Sequence, residues 1–265
     1  MKAKMDDLKK TYGAVQELVT PSGFKVIIRE QTGEDDDILS RAGDTSDGTS
    51  ANKFIQAIVV DSGINDKGRL SLDEVRDLKL CDKYFIMIAS RIFSISQILK
   101  FSYTWGEGLE PVEYEEDLGQ YIWDYGNEEK PFPKLSDPEY FKYRIEPHPA
   151  GKESIREFTT KSGKKIRYNF MNGHGESYLM KIPMDKQSVN QELLSRDIHL
   201  WMGDKWVKVY NFKPFSSIDM MEIRMDVDKN DPLLEFSTDL TNPATGEKIS
   251  YPLLASNDFF YPREI

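Results

Sequence analysis

The sequence predicts an α+β protein made of two similar small domains, each combining short helices with a β hairpin or small sheet. Three observations carry this reading. Segments of helical apolar spacing alternate with short β-branched runs bounded by Gly, Pro, Ser and Asn. The order of these features repeats, a Ser-Gly turn recurring after 140 residues and an apolar-charged-Phe-Ser string after 135. The 265 residues are 39% apolar and 30% charged, a balance that suits a globular chain with a wet surface.

The elements of the first half follow from local chemistry. Asp6 to Leu18 places Leu8, Tyr12, Val15 and Leu18 at roughly helical spacing, which predicts a short amphipathic helix or docking arm over residues 1–19. The turn Pro21-Ser22-Gly23 leads into Phe24 to Arg29, a β-branched strand. Thr32-Gly33-Glu34-Asp35 has the form of a capping box, so a helix enters at Gly33 with the acidic run Glu34 to Asp37 at its positive end. Residues 41–52 read as a mobile loop, and Lys53 to Val60 as an apolar helix or strand. Ser71 opens another capped helix. Asp82 to Ile92 carries charge mainly at its ends, too apolar for a surface helix, and is expected to be buried. Ile98 to Thr104 and Val112 to Glu115 flank Gly106-Glu107-Gly108 as a hairpin.

Pro131-Phe132-Pro133 and Ser136-Asp137-Pro138 break the pattern. They divide the chain into an arm (1–19), a first domain (20–130), a linker (131–153) and a second domain (154–265). In the second, Ser162-Gly163 answers Ser22-Gly23, and Asn172-Gly173 answers Thr32-Gly33. Ile218 to Val227 stands where the buried helix stood, and Leu233 to Ser237 answers Ile98 to Ser102. Asn242 to Glu247 then turns into Lys248 to Tyr251, a second hairpin. A duplicated unit should pair Gly23 with Gly163 and Phe101 with Phe236.

Chemistry is sparse. The net charge of −10 opposes binding of phosphate backbone, so no nucleic-acid partner is expected. No apolar run reaches the ~20 residues that span a bilayer, and the start lacks a signal-peptide core, so the expectation is a soluble protein made in a cytoplasm, with no membrane partner. One cysteine, Cys81, excludes an internal disulfide, and His148, His174 and His199 have no metal-ligand spacing. Gly63 to Glu74 resembles the second half of a calcium loop, yet Gly63 and Lys67 fall where ligands belong. No Gly-rich phosphate cradle occurs. The expectation is no catalytic residue, metal, cofactor or small-molecule substrate. A hydrolase using scattered carboxylates is the enzyme alternative. Trp105, Tyr114, Tyr121, Trp123 and Tyr125 cluster in and after the first hairpin, as interface residues or as closure of a small β core.

The strings Thr20 to Val26, Arg29 to Asp36 and Tyr84 to Ile92, with the Phe101-Ser102-Tyr103 hairpin, resemble baseplate proteins of contractile-tailed bacteriophages, the hub and wedge-type subunits of myoviruses. Some such relatives carry a cysteine pair in the hairpin. Here Tyr103 to Gly108 has none, which removes any metal role. The resemblance covers most of residues 20–125 and reaches 155–255 only through the duplication. It implies a structural, non-enzymatic subunit of the virion tail, present in the host cytoplasm during assembly, whose partners are other tail proteins and copies of itself. The alternative is a tail assembly chaperone that leaves the finished particle. The partner-binding residues expected are Leu8, Tyr12 and Val15 in the arm, and Trp105, Tyr121 and Trp123 in the aromatic region.

Overall fold

The computed structural model describes residues 2–40, 48–122, 145–183, 186–232, 236–253 and 259. The fold is mixed α+β, with several small antiparallel sheets and eight helices among these residues. In the first half, α1 (Lys2–Tyr12) ends at Gly13, whose φ of 76° a residue with a Cβ would resist. The chain then enters β1 (Val15–Val19), which pairs with β2 (Lys25–Arg29) around the Thr20 to Phe24 turn. The expected arm is therefore divided: Leu8 and Tyr12 are helical, but Val15 starts a strand, because its register with Arg29 supplies the backbone partners that continued helix would not.

After β2, α2 (Gly33–Leu39) begins at the Thr32–Asp35 capping box, as the sequence indicates. α3 (Thr49–Ile58) and β3 (Val59–Ser62) share the stretch read as helix or strand, so both readings are right for part of it. The predicted loop over 41–52 is helical from Thr49, and 41–47 lie outside the described residues. α4 (Leu72–Asp77) starts at Ser71, whose hydroxyl accepts from the Glu74 amide while the Glu74 carboxylate accepts from the Ser71 amide. α5 (Leu80–Ser94) is the expected buried helix, with Phe85, Ile86, Ile88 and Ala89 wholly enclosed. β4 (Ile98–Tyr103) and β5 (Val112–Asp117) form the first hairpin.

In the second half β6 (Ile155–Thr159), β7 (Lys165–Asn169), β8 (His199–Trp201) and β9 (Trp206–Lys208) make one antiparallel sheet in that order. α6 (Gly173–Met180) is capped by the Asn172 carboxamide, and α7 (Val189–Leu194) follows. α8 (Ser217–Asn230) precedes the hairpin of β10 (Ser237–Thr241) and β11 (Lys248–Pro252). The starts of β6, β7, α6, α7 and β8 each lie 140 residues beyond those of β1, β2, α2, α3 and β3. Gly23 and Gly163 occupy the same turn position, with φ of 79° and 87°. The third residue of α5, Asp82, accepts from the Ser22 amide at 2.9 Å; the third residue of α8, Asp219, accepts from the Ser162 hydroxyl at 2.5 Å. The Phe pairing is different. Phe101 is the fourth residue of β4, whereas Phe236 precedes β10, so the shared Phe-Ser string does not mark one hairpin position. Residues 233–235 of that string lie outside the described residues.

Two cores result. The larger joins α3, α5 and the inner side of β1 to β3, and it also takes in Phe236, Leu240, Leu253 and Phe259 from the far end of the chain. Thus β10 and β11 pack on β4 and β5: Tyr251 stacks on Phe101 at 5.1 Å, and the Thr238 hydroxyl donates to Glu116 at 2.6 Å. The smaller core lies between β6 to β9 and α8, around Ile166, Tyr168, Ile198 and Ile223. Only one side of α8 enters it. Ile218, Met221 and Met225 are 61%, 51% and 61% exposed, so α8 stands at the place of α5 in the order of elements without sharing its burial on all sides.

Candidate interaction surfaces

The residues expected to meet partners are mostly engaged within the chain. α1 lies on the first sheet, with Lys4 paired to Asp61 of β3 at 2.6 Å. The Tyr12 hydroxyl accepts from Arg69 at 2.6 Å, and the guanidinium sits 5.5 Å from the ring centre. Leu8, Tyr12 and Val15 are half-buried by these arrangements. The Trp105 indole donates to the Tyr114 hydroxyl at 2.8 Å, and that hydroxyl donates to the Thr241 carbonyl at 3.0 Å. Tyr121 is buried, edge-on to Phe236 at 4.7 Å, with its hydroxyl 3.1 Å from Glu116. Trp105 and Tyr121 therefore join the two hairpins to each other, and Tyr121 is a core residue where a surface anchor was expected. Trp123 and Tyr125 lie outside the described residues.

Apart from the apolar packing of the two hairpins, a polar cluster lies where the halves meet. Lys79, at the entry to α5, donates to the Ser22 hydroxyl at 3.1 Å and to the Gly151 carbonyl. Lys83 pairs with Glu176 of α6, and Asp231 accepts from Arg196 at 2.9 Å and from the Met171 amide at 2.6 Å. His148 Nδ1 accepts the Ala150 amide at 3.1 Å, which places the ring proton on Nε2, 3.5 Å from Asp231. A crevice of about 90 Å³ opens here, lined by Lys79, Cys81, His148, Met171 and Asp231. Burial, reinforced by the neighbouring Asp82 charge, pushes the Cys81 thiol well above its ordinary range. The thiol stays protonated and is a poor nucleophile. Burial likewise raises the Asp82 carboxyl and lowers the Lys79 ammonium. The cluster ties the two halves together and offers no nucleophile with a base beside it. Among the described residues no group of three or more His, Cys, Asp or Glu side chains is placed to hold a metal ion. None of their helices is long and apolar enough to cross a membrane.

Two free surfaces escape the sequence reading. The first is the stripe of Ile218, Met221 and Met225 on α8, at i, i+3 and i+7. Aligning α8 on α5 through Asp219 and Asp82 sets these residues at the positions of Cys81, Tyr84 and Ile88. In α5 that face is covered: Cys81 and Ile88 are buried, and the Tyr84 hydroxyl reaches Glu176 of the other half at 3.5 Å. The available signal was apolar residues on both sides of one helix, Met220, Ile223 and Val227 inward and the stripe outward. The second surface is the outer face of β6 to β9, where Trp201 and Trp206 meet edge-on at 5.3 Å. Lys165 lies 5.7 Å and 5.3 Å from their ring centres, and Arg167 lies 4.8 Å above Trp206. The sign in the sequence was two tryptophans flanking Gly203, a tight hairpin whose facing ends pair them.

No protein-family model, curated protein or solved structure matches the chain.

Proposed function

We propose that this protein is a structural subunit of a bacteriophage contractile-tail baseplate, acting through protein–protein interfaces during tail assembly. The observation that carries the reading is the stripe Ile218, Met221 and Met225. It is solvent-facing on α8, although the matching face of α5 is covered. Three large apolar side chains at helical spacing, each more than half exposed, suit burial against a partner better than permanent contact with water. The sequence resemblance to baseplate subunits gives the partner class. We also infer that the two halves descend from a duplicated unit. The constant 140-residue spacing of five elements and the matched serine–aspartate clasps support this.

The test uses a double change, Met221→Glu with Met225→Glu. Both side chains face water, so the variant should keep the circular dichroism spectrum and melting temperature of the native chain. It should fail to enter particles when the native chain does so. Normal incorporation of the variant would remove the stripe from the assembly. Peptide mass spectra of purified intact particles separate the two roles. A subunit is found there in fixed stoichiometry, whereas an assembly factor is found only in lysates of assembling tails. Superposing the halves in an experimental structure tests the duplication.

A further inference from the structure

The two three-strand units differ in what lies on their outer faces. In the first, Glu17, Ile27 and Asp61 form one cross-strand row on the side away from the core. Ile27 is only 7% exposed and yet is absent from the core cluster, because α1 covers this side, with Lys4 bonded to Asp61. In the second, the matching row is Glu157, Arg167, His199 and Lys208, with Trp201 and Trp206 in the row beside it. None of these residues is buried. The stretch that would match α1 is 142–152. Its described part, 145–152, is irregular and packs at the seam, with His148 against Phe170 at 4.5 Å. The second sheet thus has no covering helix among the described residues.

We infer that the outer face of β6 to β9 is a docking site for an acidic amphipathic helix of a partner protein. The form of the occupant follows from α1, which covers the matching face as a helix with Met5, Leu8 and Tyr12 at i, i+3 and i+7. Its charge follows from this face. Glu157 answers Lys165 at 3.4 Å and Asp197 answers Lys208 at 2.6 Å, which leaves Arg167, centred in the row, with no carboxylate within 4 Å among the described residues. In the place that Asp61, which receives the lysine of α1, holds in its row, the second half has His199, with Trp201 in the row beside it. A basic helix like α1 would lose its anchor there, whereas a helix with flanking glutamates would meet Arg167 and lay its apolar stripe on two tryptophans. A polyphosphate chain fits less well, since the protein carries a net charge of −10 and one unmatched cation on this face is a small counterweight. The comparison of the faces rests on the duplication proposed above. The test reads binding, so a failed superposition of the halves and a silent face are separate results.

The experiment titrates the full-length protein with a helix-stabilised peptide of about 15 residues, long enough to hold a helix. The peptide carries leucines at i, i+3 and i+7 flanked by glutamates, and a second version has lysine at each glutamate. Indole 1H–15N signals are followed, with Trp206→Phe assigning one of them. The expected result is saturable movement of the Trp201 and Trp206 signals with the glutamate peptide. Binding should weaken about tenfold or more for Arg167→Glu, equivalent to roughly 1.4 kcal/mol. Trp206→Ala, with an unchanged melting temperature, should weaken it comparably. The inference is overturned by no movement at about 1 mM peptide. Equal binding of the lysine peptide overturns it too, as does stronger binding of an oligothymidylate at the same signals. So does self-association of the chain that Trp206→Ala abolishes, since the occupant would then be a second copy.

Discussion

Asparagine at position 219 removes one negative charge from a site that is closed to solvent and fully bonded. Asp219 accepts from Lys164 at 2.6 Å, from the Ser162 hydroxyl at 2.5 Å, and from the amide and hydroxyl of Ser216 at 2.9 Å and 2.8 Å. Lys164 and Ser162 hold the carboxyl well below the ordinary carboxylate range. A hydrogen bond to a charged group contributes about 1.5–3 kcal/mol. Lys164 is about a third exposed and regains water when released, so Asp219→Asn should cost about 2 kcal/mol at neutral pH. Asp219→Ala also opens the capping box and should cost about 1 kcal/mol more. Asp82, its counterpart on α5, should behave in the opposite way. Burial raises its carboxyl, so the neutral form suits the folded site, and Asp82→Asn should change stability by less than about 1 kcal/mol.

The pH dependence separates the two sites. A depressed folded pKa contributes stability that is full above the unfolded value near 3.9 and is lost as pH falls through the folded value, so the Asp219→Asn penalty should shrink in acid. A raised folded pKa contributes below the unfolded value and is lost as pH rises through the folded one. The Asp82→Asn variant should therefore look most favourable, relative to the native chain, at neutral pH. Urea titrations at several pH values, with unchanged m-values, measure both. Equal penalties for the two asparagine variants at neutral pH would refute the reasoning, as would an Asp219→Asn penalty that persists undiminished at about pH 3.

Three further outcomes are expected. Phe85→Ala empties a fully enclosed site in α5 and should cost about 3–5 kcal/mol in a denaturant titration; a loss well under 1 kcal/mol would place that side chain outside the core. Arg29→Ala leaves the buried Asp35 carboxylate without its two-pronged partner, both contacts being 2.7 Å, and should cost about 3–5 kcal/mol by the same assay. Gly175→Ala puts a methyl 2.6 Å from the Ser195 carbonyl and 2.8 Å from the Met171 sulfur and should cost about 1–3 kcal/mol. In Gly163→Ala the methyl enters open space and the cost is only the left-handed backbone, about 1–2 kcal/mol, read from the shift in its urea midpoint.

Local chemistry made most elements legible. The capping boxes at Thr32 and Ser71, the largely apolar Asp82 to Ile92 with charge mainly at its ends and the glycine-marked hairpins all encode their structure within a few residues, and the helices and strands stand where those signals put them. Long-range packing was not legible. Val15 reads as part of a helical stripe that runs on to Leu18 until its pairing with Arg29 is known. Tyr121 reads as a surface aromatic until Phe236, 115 residues later, covers it. The outward stripe of α8 was hidden for the same reason: apolar residues on both sides of a helix look alike in sequence, and only the neighbours decide which side is wet. The pairing of Trp201 with Trp206 depends on the hairpin between them and so is not legible from the residues alone.

The placement of β10 and β11 on the first hairpin affects how the chain is born. Phe236, Leu240, Leu253 and Phe259 close a core whose other buried members are complete by Ile145. On a ribosome adding ~5–20 residues per second, the interval from Tyr121 to Leu253 lasts roughly 7–25 s. During it the aromatic side of β4 and β5 has no lid. A nascent chain is therefore open to capture by chaperones, or to mispairing with a neighbouring chain on the same message, until β10 and β11 emerge. A chain truncated before β10 keeps that side of the first hairpin exposed to water.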